Sequence, residues 1–347
     1  MKVGIITAHN MKYSPYANYY INILDEMNIN YELIIPNKEK IDFPINNKKY
    51  IINWNSKLPS MINYAIYSLK TAKLIKKRKY DKLIILTTIN VAYLSLFLNK
   101  YFKNNYIVDI RDYTHEDIPL FYKLECIGIK NAGLRIISSQ KFKNFLPDSH
   151  YHIVHNFNYS DKINIEKTKK IGKVIKIAYV GSIEYKKQCK KMIDLVYKDS
   201  RFEFLFYGNE KNNEIKEYVD LKNCQRIKYY GAYEPKEKGQ IIKNIDILFN
   251  IYGNGCPLLD YALSNKLYDA LYFKKLLLVS PDTFMQEESN YFSYAFDFRK
   301  ETNLDDLYKW IREVDRKKIE KLQNNQLNKY IEENYCTKEK IINFIKE

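Results

Sequence analysis

Asn265, Lys266 and Asp269 fall within one helical turn of each other in the run Ser264-Asn265-Lys266-Leu267-Tyr268-Asp269. Their types suit the holding of a phosphorylated ligand. Ser264 is placed to cap a short helix. The first turn of such a helix leaves backbone N–H groups near residues 265–267 without partners, and these attract anions, phosphate above all. Lys266 adds a positive charge at the same end. Asp269 sits one turn on from Asn265, within reach of a ligand held at the helix tip. An ordinary capped helix with a Lys–Asp pair would show the same residues, so the reading depends on what surrounds them.

A second charged run, Asp109-Ile110-Arg111-Asp112-Tyr113-Thr114-His115-Glu116-Asp117, closes a buried strand. Arg111 carries a fixed positive charge, and Asp112, His115 and Glu116 have the chemistry to accept or give a proton. The alternative is a solvated loop in which Arg111 pairs with a neighbouring acid. Tyr13, Tyr16, Tyr19 and Tyr20 border the first loop and could offer ring faces to a ligand or simply pack. His150, His152 and His155 raise a metal site. On a strand the first two share a face and His155 points the other way, with no cysteine or fixed acid beside them. No metal is expected.

The elements that must position these residues alternate along the chain. Strands are predicted over 3–7, 31–35, 83–86, 106–110, 134–137 and 151–154, the second stopped by Pro36. Helices are predicted from a Ser14-Pro15 cap to about 27, then over 60–78, 91–99, 120–130 and 141–145. Residues 41–56 show no clear pattern. Residues 158–173 are polar and lysine-rich and read as a linker. The alternation then restarts with strands over 176–180, 202–207, 226–229, 245–251 and 276–279, and helices over 187–197, 212–219, 235–243, 304–314, 317–333 and 337–346. Apolar strands alternating with helices predict parallel sheets covered on both faces. The expected division is a first domain over 1–160, a second over 170–325, and a C-terminal helix over about 325–347 packing back on the first.

Four stretches in order resemble the retaining glycosyltransferases of family 4, whose fold is GT-B. Ser264 to Leu271, followed by Lys274-Lys275-Leu276-Leu277-Leu278-Val279, looks like the family's donor motif. Tyr179-Val180-Gly181-Ser182-Ile183, followed by Lys186 and Lys187, looks like its first donor-domain loop. Tyr207-Gly208-Asn209 resembles the strand end against the base, and Val154-His155-Asn156-Phe157 the turn before the linker. The chain departs from the family in having Asp269 for a glutamate, Tyr261 (with Asp260 beside it) for a second glutamate, and Ser182 for an arginine. The first loop, Ala8 to Tyr13, lacks the usual glycines.

The resemblance implies an α/β fold of two facing Rossmann-like domains with parallel sheets and an interdomain cleft. It implies a nucleotide-sugar donor, most simply a uridine diphosphate (UDP) sugar, on the second domain. Gly181, Ser182, Lys186, Lys187, Asn265 and Lys266 would hold the diphosphate. Tyr207 and Gly208 would lie at the base, and Asp269 at the ribose. Related surface-polysaccharide transferases have an Arg-Asp pair where Arg111 and Asp112 stand. The first domain would therefore present an acceptor, a growing glycan or a lipid-linked one, with Arg111 and Tyr13 as acceptor-binding residues. Retention and a metal-free, cofactor-free reaction are implied. A sugar-nucleotide epimerase and a non-catalytic glycan-binding partner remain as rivals.

Composition bounds these readings. The chain has 347 residues, 46% of them hydrophobic, enough for two cores. No apolar run approaches the roughly 20 residues of a membrane span. Five scattered cysteines and no leader-like start fit the cytoplasm. The net charge of +16 suits nucleic acid or an anionic surface. No nucleic-acid motif accompanies it, so nucleic acid is not expected. Lys70, Lys73, Lys76, Lys77, Arg78 and Lys79 follow Ile62, Ala65, Ile66 and Leu69. They make either a basic helix lying on the inner face of the plasma membrane or an ordinary surface helix.

Overall fold

A computed structural model describes residues 1–11, 14–38, 49–157 and 170–347. Tyr13 and most of the expected linker lie outside the described residues. The chain divides into two compact units, residues 1–156 with 332–347, and residues 157–331.

The first unit is built on a parallel sheet of β1 (Lys2–Ile6), β2 (Asn30–Asn37), β3 (Lys49–Asn53), β4 (Lys82–Leu86), β5 (Tyr106–Ile110), β6 (Leu134–Ile137) and β7 (His152–Ile153). Their order is β3-β2-β1-β4-β5-β6-β7. The helices are α1 (Ala17–Glu26), α2 (Ser60–Arg78), α3 (Thr88–Tyr101) and α4 (Pro119–Lys130). Strands β4 and β5 are buried along their whole length, as continuous apolar runs in a covered parallel sheet must be.

Two details correct the sequence reading. Ser14 does not cap α1, which begins at Ala17 behind Tyr16 with no side-chain cap. Pro36 does not stop β2. The Ile34 carbonyl accepts from Thr7 at the end of β1. Residue 36, two positions on, turns its absent N–H to that same side, where β1 has already ended. β3, in the stretch without a readable pattern, pairs along the other side of β2, Pro36 opposite Ile52.

The second unit carries β8 (Ile175–Val180), β9 (Phe202–Tyr207), β10 (Ile227–Gly231), β11 (Ile247–Asn250), β12 (Leu276–Val279) and β13 (Ser293–Ala295) in the parallel order β10-β9-β8-β11-β12-β13. Its helices are α5 (Lys186–Lys198), α6 (Glu214–Lys222), α7 (Lys238–Lys243), α8 (Pro257–Tyr261), α9 (Asn265–Phe273), α10 (Phe284–Ser289) and α11 (Asp305–Glu313). A 3₁₀ turn, Pro235–Glu237, precedes α7, where one helix was expected. The short α8, α10 and β13 escape a reading by period, being too brief to show one. The two expected C-terminal helices are a single α12 (Arg316–Lys346), because no glycine or proline interrupts the run. α12 crosses the division between the units at residues 331 and 332.

Candidate functional site

In the second unit, β8 and β9 end on glycines that only glycine could supply. Gly181 has φ +124° and Gly208 φ +149°. A Cβ on Gly208 would lie 1.7 Å from the Gly181 carbonyl oxygen. The two loops therefore meet backbone on backbone, fixed by Gly181 N–H to the Tyr207 carbonyl (2.8 Å) and Ile183 N–H to the Asn209 carbonyl (2.9 Å).

Helix α9 brings Lys266 to this place. Its N-cap is Ser264, whose hydroxyl accepts the Lys266 N–H at 3.3 Å. The Ser264 carbonyl accepts the Leu267 N–H at 3.0 Å. Those two amides are thus consumed inside the helix, which corrects the expectation of free N–H groups at 266 and 267. What remains for an anion is the ammonium. Lys266 is only 6% exposed. Its Nζ donates to the Tyr252 hydroxyl at 2.5 Å and lies 4.4 Å from the Tyr179 ring centroid and 5.1 Å from that of Tyr252. A Cβ on Gly181 would stand 3.9 Å from that nitrogen. Tyr185 stacks on Tyr252 at 3.9 Å.

Among the described residues no carboxylate pairs with Lys266. Removing an ammonium from water costs on the order of several kcal/mol, while cation–π contacts return only about 0.5–2 kcal/mol each. The balance leaves a nearly buried cation beside two close-packed glycine loops, which an anion would satisfy.

Asp269, 3% exposed, lies one turn further along α9 and accepts from Lys238 Nζ of α7 at 2.8 Å. Burial, with Asp269 adding, pushes the Tyr233 hydroxyl up to about 12. Neither Lys238 nor the Tyr252 hydroxyl was singled out from the sequence. No motif marks the first, and only packing brings the second over Lys266.

The other expected donor residues are dispersed. Lys186 turns to α6 and pairs with Glu214 at 2.9 Å, which Lys190 also holds at 2.6 Å. That pairing raises the Lys186 ammonium. Ser182 is exposed and its hydroxyl donates to Glu184 at 3.0 Å. Asn265 is exposed at the start of α9. Tyr207 stacks on Tyr230 at 4.6 Å. Asp260, beside the family's missing second acid, accepts the Gly255 N–H at 2.8 Å. Lys187 lines a separate cavity with Gly253, Ser280 and Asp297.

In the first unit, Arg111 is buried and committed. Its Nε lies 2.6 Å from Asp109 Oδ1, one terminal nitrogen donates to Asp109 Oδ2 at 2.7 Å, and the other to the Val154 carbonyl at 2.9 Å. The Tyr20 hydroxyl donates to the same Asp109 at 2.7 Å. Tyr19 donates to the Asn334 carbonyl at 3.0 Å, and the Arg111 guanidinium sits 5.4 Å from the Tyr16 ring centroid. Arg111 thus pairs with a neighbouring acid as its alternative reading has it, but buried rather than solvated, and Tyr19 and Tyr20 hold packing contacts.

Asp112 instead keeps solvent contact. Desolvation by the protein around it still raises its carboxyl to about 6, against the opposing charge of Arg111. Glu116 accepts the Thr114 N–H at 2.5 Å, and burial raises its carboxyl. His115 packs edge-on against Phe121 at 5.6 Å. His155 meets Glu333 of α12 at 2.6 Å, and His150 and His152 rings contact each other at 4.6 Å. Among the described residues no three of His, Cys, Asp or Glu gather as metal ligands would.

No family model and no curated protein sequence matches the chain. Solved structures do. The lipopolysaccharide outer core galactosyltransferase WaaB, in its apo form, is 16% identical, with all of both chains covered and a TM-score of 0.66. Anabaena Alr3699/HepE, in complex with UDP and glucose, is 12% identical, with 98% of this chain and 99% of that one covered and a TM-score of 0.68. Sucrose-phosphate synthase from Thermosynechococcus elongatus is 9% identical, with 95% and 94% covered and a TM-score of 0.71. At such identities the likeness is one of fold, and the chain has the GT-B fold of these glycosyltransferases, an α/β architecture of two Rossmann-like units.

Proposed function

We propose that this protein is a glycosyltransferase that moves a sugar from a nucleotide-sugar donor, a UDP-sugar, to a growing bacterial surface glycan or lipid-linked acceptor with retention. The observation that carries the reading is Lys266, a nearly buried ammonium with no carboxylate partner among the described residues, set against Gly181 beside the close-packed Gly208. A diphosphate seated there would complete the charge. As the sugar leaves, negative charge grows on the leaving phosphate, and a preorganised cation in a poorly hydrated site stabilises that charge most. Asn265 and the Ser182 backbone N–H would add hydrogen bonds, the Gly181 N–H being already given to the Tyr207 carbonyl. Asp269 would take the ribose hydroxyls, sharing its charge with Lys238. Asp112 would handle the acceptor proton. Arg111 would then act by fixing the loop before Asp112, and Glu116 and His115 by shaping it. No metal is assigned to the reaction.

The test is a thermal-shift titration with UDP. A ligand at 100 times its Kd stabilises the folded form by about 2.7 kcal/mol. The full chain should rise in melting temperature with UDP, and Lys266→Met should lose the rise while keeping its own unliganded melting point. Two outcomes would sink the reading: no response in the parent chain, or an equal response in Lys266→Met. A response to glycan alone would favour a non-catalytic binding partner.

A further inference from the structure

A second basic concavity, beside the seat at Lys266 and unused by it, occupies the edge of the second unit. It encloses about 240 Å³ between the start of α5, the loop after β11, and the segments after β12 and β13. Buried Ile251 and Phe296 form apolar lining. Its walls are set without any ligand. The Gly253 N–H donates to the Ser280 hydroxyl at 2.8 Å, the Asn254 amide to the Pro281 carbonyl at 2.9 Å, and the Gln188 amide to the Tyr252 carbonyl at 3.2 Å. Gly253 has φ +106°, and a Cβ there would press within 3.1 Å of the Gln188 amide nitrogen. Glycine thus keeps this wall clear.

The charge is one-sided. Lys187 and Lys191 project from successive turns of α5, and among the described residues neither pairs with a carboxylate. Asp297 is the lining acid, and Arg299 closes on it as a fork at 2.8 and 2.9 Å, holding its carboxyl down at about 2. Three cations thus face one acid that is already matched. A cavity of about 150 Å³ is enough to hold benzene, so this one has room for a ring with a substituent. That is the scale of a monosaccharide with a charged substituent, larger than a bare ion needs.

We propose that this cavity binds a monosaccharide bearing a phosphate or carboxylate group, with Lys187 and Lys191 meeting the anion. The site is separate from the diphosphate seat, though both lean on one loop: Tyr252 holds Lys266, and Gly253 edges the cavity. The anion preference stands on the cavity alone, and only the choice of a sugar rests on the glycosyltransferase reading.

Calorimetric titration of the full chain tests it, with glucose 6-phosphate, glucuronate, glucose and inorganic phosphate as probes. Each is run with and without saturating UDP, on the parent chain and on Lys191→Glu. At least one acidic sugar should bind ten times more tightly than glucose, and Lys191→Glu should weaken that binding tenfold or more while UDP binding persists. Retained affinity with UDP present supports a separate site, whereas competition with UDP, which carries no transferable sugar, would merge the cavity with the diphosphate seat and overturn the proposal. Glucose binding as tightly as the acidic sugars, or an unchanged affinity in Lys191→Glu, overturns it. So does phosphate alone matching glucose 6-phosphate. Loss of UDP binding in Lys191→Glu would merge the cavity with the nucleotide seat and refute their separation. Should Lys191→Glu fail to fold, Lys191→Gln replaces it. A parent chain that ignores UDP yet binds glucuronate would refute the donor reading and leave this one standing.

Discussion

At the scale of single residues, the account turns on how Lys266 is held. Tyr252 accepts from its ammonium and lends it a ring face, and Tyr179 lends another. Hydrogen bonds to charged groups contribute about 1.5–3 kcal/mol. Tyr252→Phe removes that bond from the unliganded chain, so its melting temperature without ligand should fall by several degrees in scanning calorimetry, and an unchanged melting temperature would show that the bond contributes nothing. Asp112 supplies a pH test. Its carboxyl is raised to about 6, so it holds a proton below that pH and is free to accept one only above it. Transfer activity should fall as pH drops through about 6. In Asp112→Asn the remaining activity should lose that inflection. Persistence of the same inflection would remove Asp112 from the proton path.

At the scale of elements, the strand ends carry the site. Gly208→Ala would drive a methyl into the Gly181 carbonyl, with a cost on the order of 3 kcal/mol. A urea melt should show the loss. Helix α4 carries Glu125, fully buried, with neither carboxylate oxygen hydrogen-bonded among the described residues. Burial, with Glu116 adding, raises it to about 9. The folded state therefore keeps this proton where the unfolded chain has released it, so stability falls as pH rises from about 4.5 to about 9. Glu125→Gln should melt higher than the parent at pH 8, and the gap should close near pH 4. A constant gap would contradict the assignment.

Much of this was legible beforehand. Mostly apolar runs such as 175–180, 202–207 and 276–279 allow few alternatives, and the first two end at Gly181 and Gly208. The cap at Ser264 was equally plain. What the chain order hid is where long side chains go. Lys186 and Arg111 find acids nearer than any substrate, and Tyr252 reaches Lys266 only because two loops fold together.

At the scale of the whole molecule, the net charge of +16 is unevenly spread. Helices α2, α3 and α4 carry one acid, the buried Glu125, against Lys70, Lys73, Lys76, Lys77, Arg78, Lys100, Lys123 and Lys130. Leu69, Leu96 and Leu120 stand 64–67% exposed among them. Among the described residues no helix is long and apolar enough to cross a membrane. Exposed leucines among this excess of lysines fit contact with an anionic bilayer surface, although Arg78 itself is taken up by Glu32. The chain should co-sediment with phosphatidylglycerol vesicles and not with phosphatidylcholine ones. Leu69→Asp with Lys73→Glu should weaken the association at least tenfold. Equal binding to both vesicles would refute the contact.

The most direct test of the central claim is a crystal structure of the chain soaked with UDP. The account predicts a phosphate oxygen within about 3 Å of Lys266 Nζ, against the Gly181 backbone, with the ribose reaching Asp269. A diphosphate bound elsewhere, with Lys266 still closed under Tyr252 and touching no ligand, would contradict it.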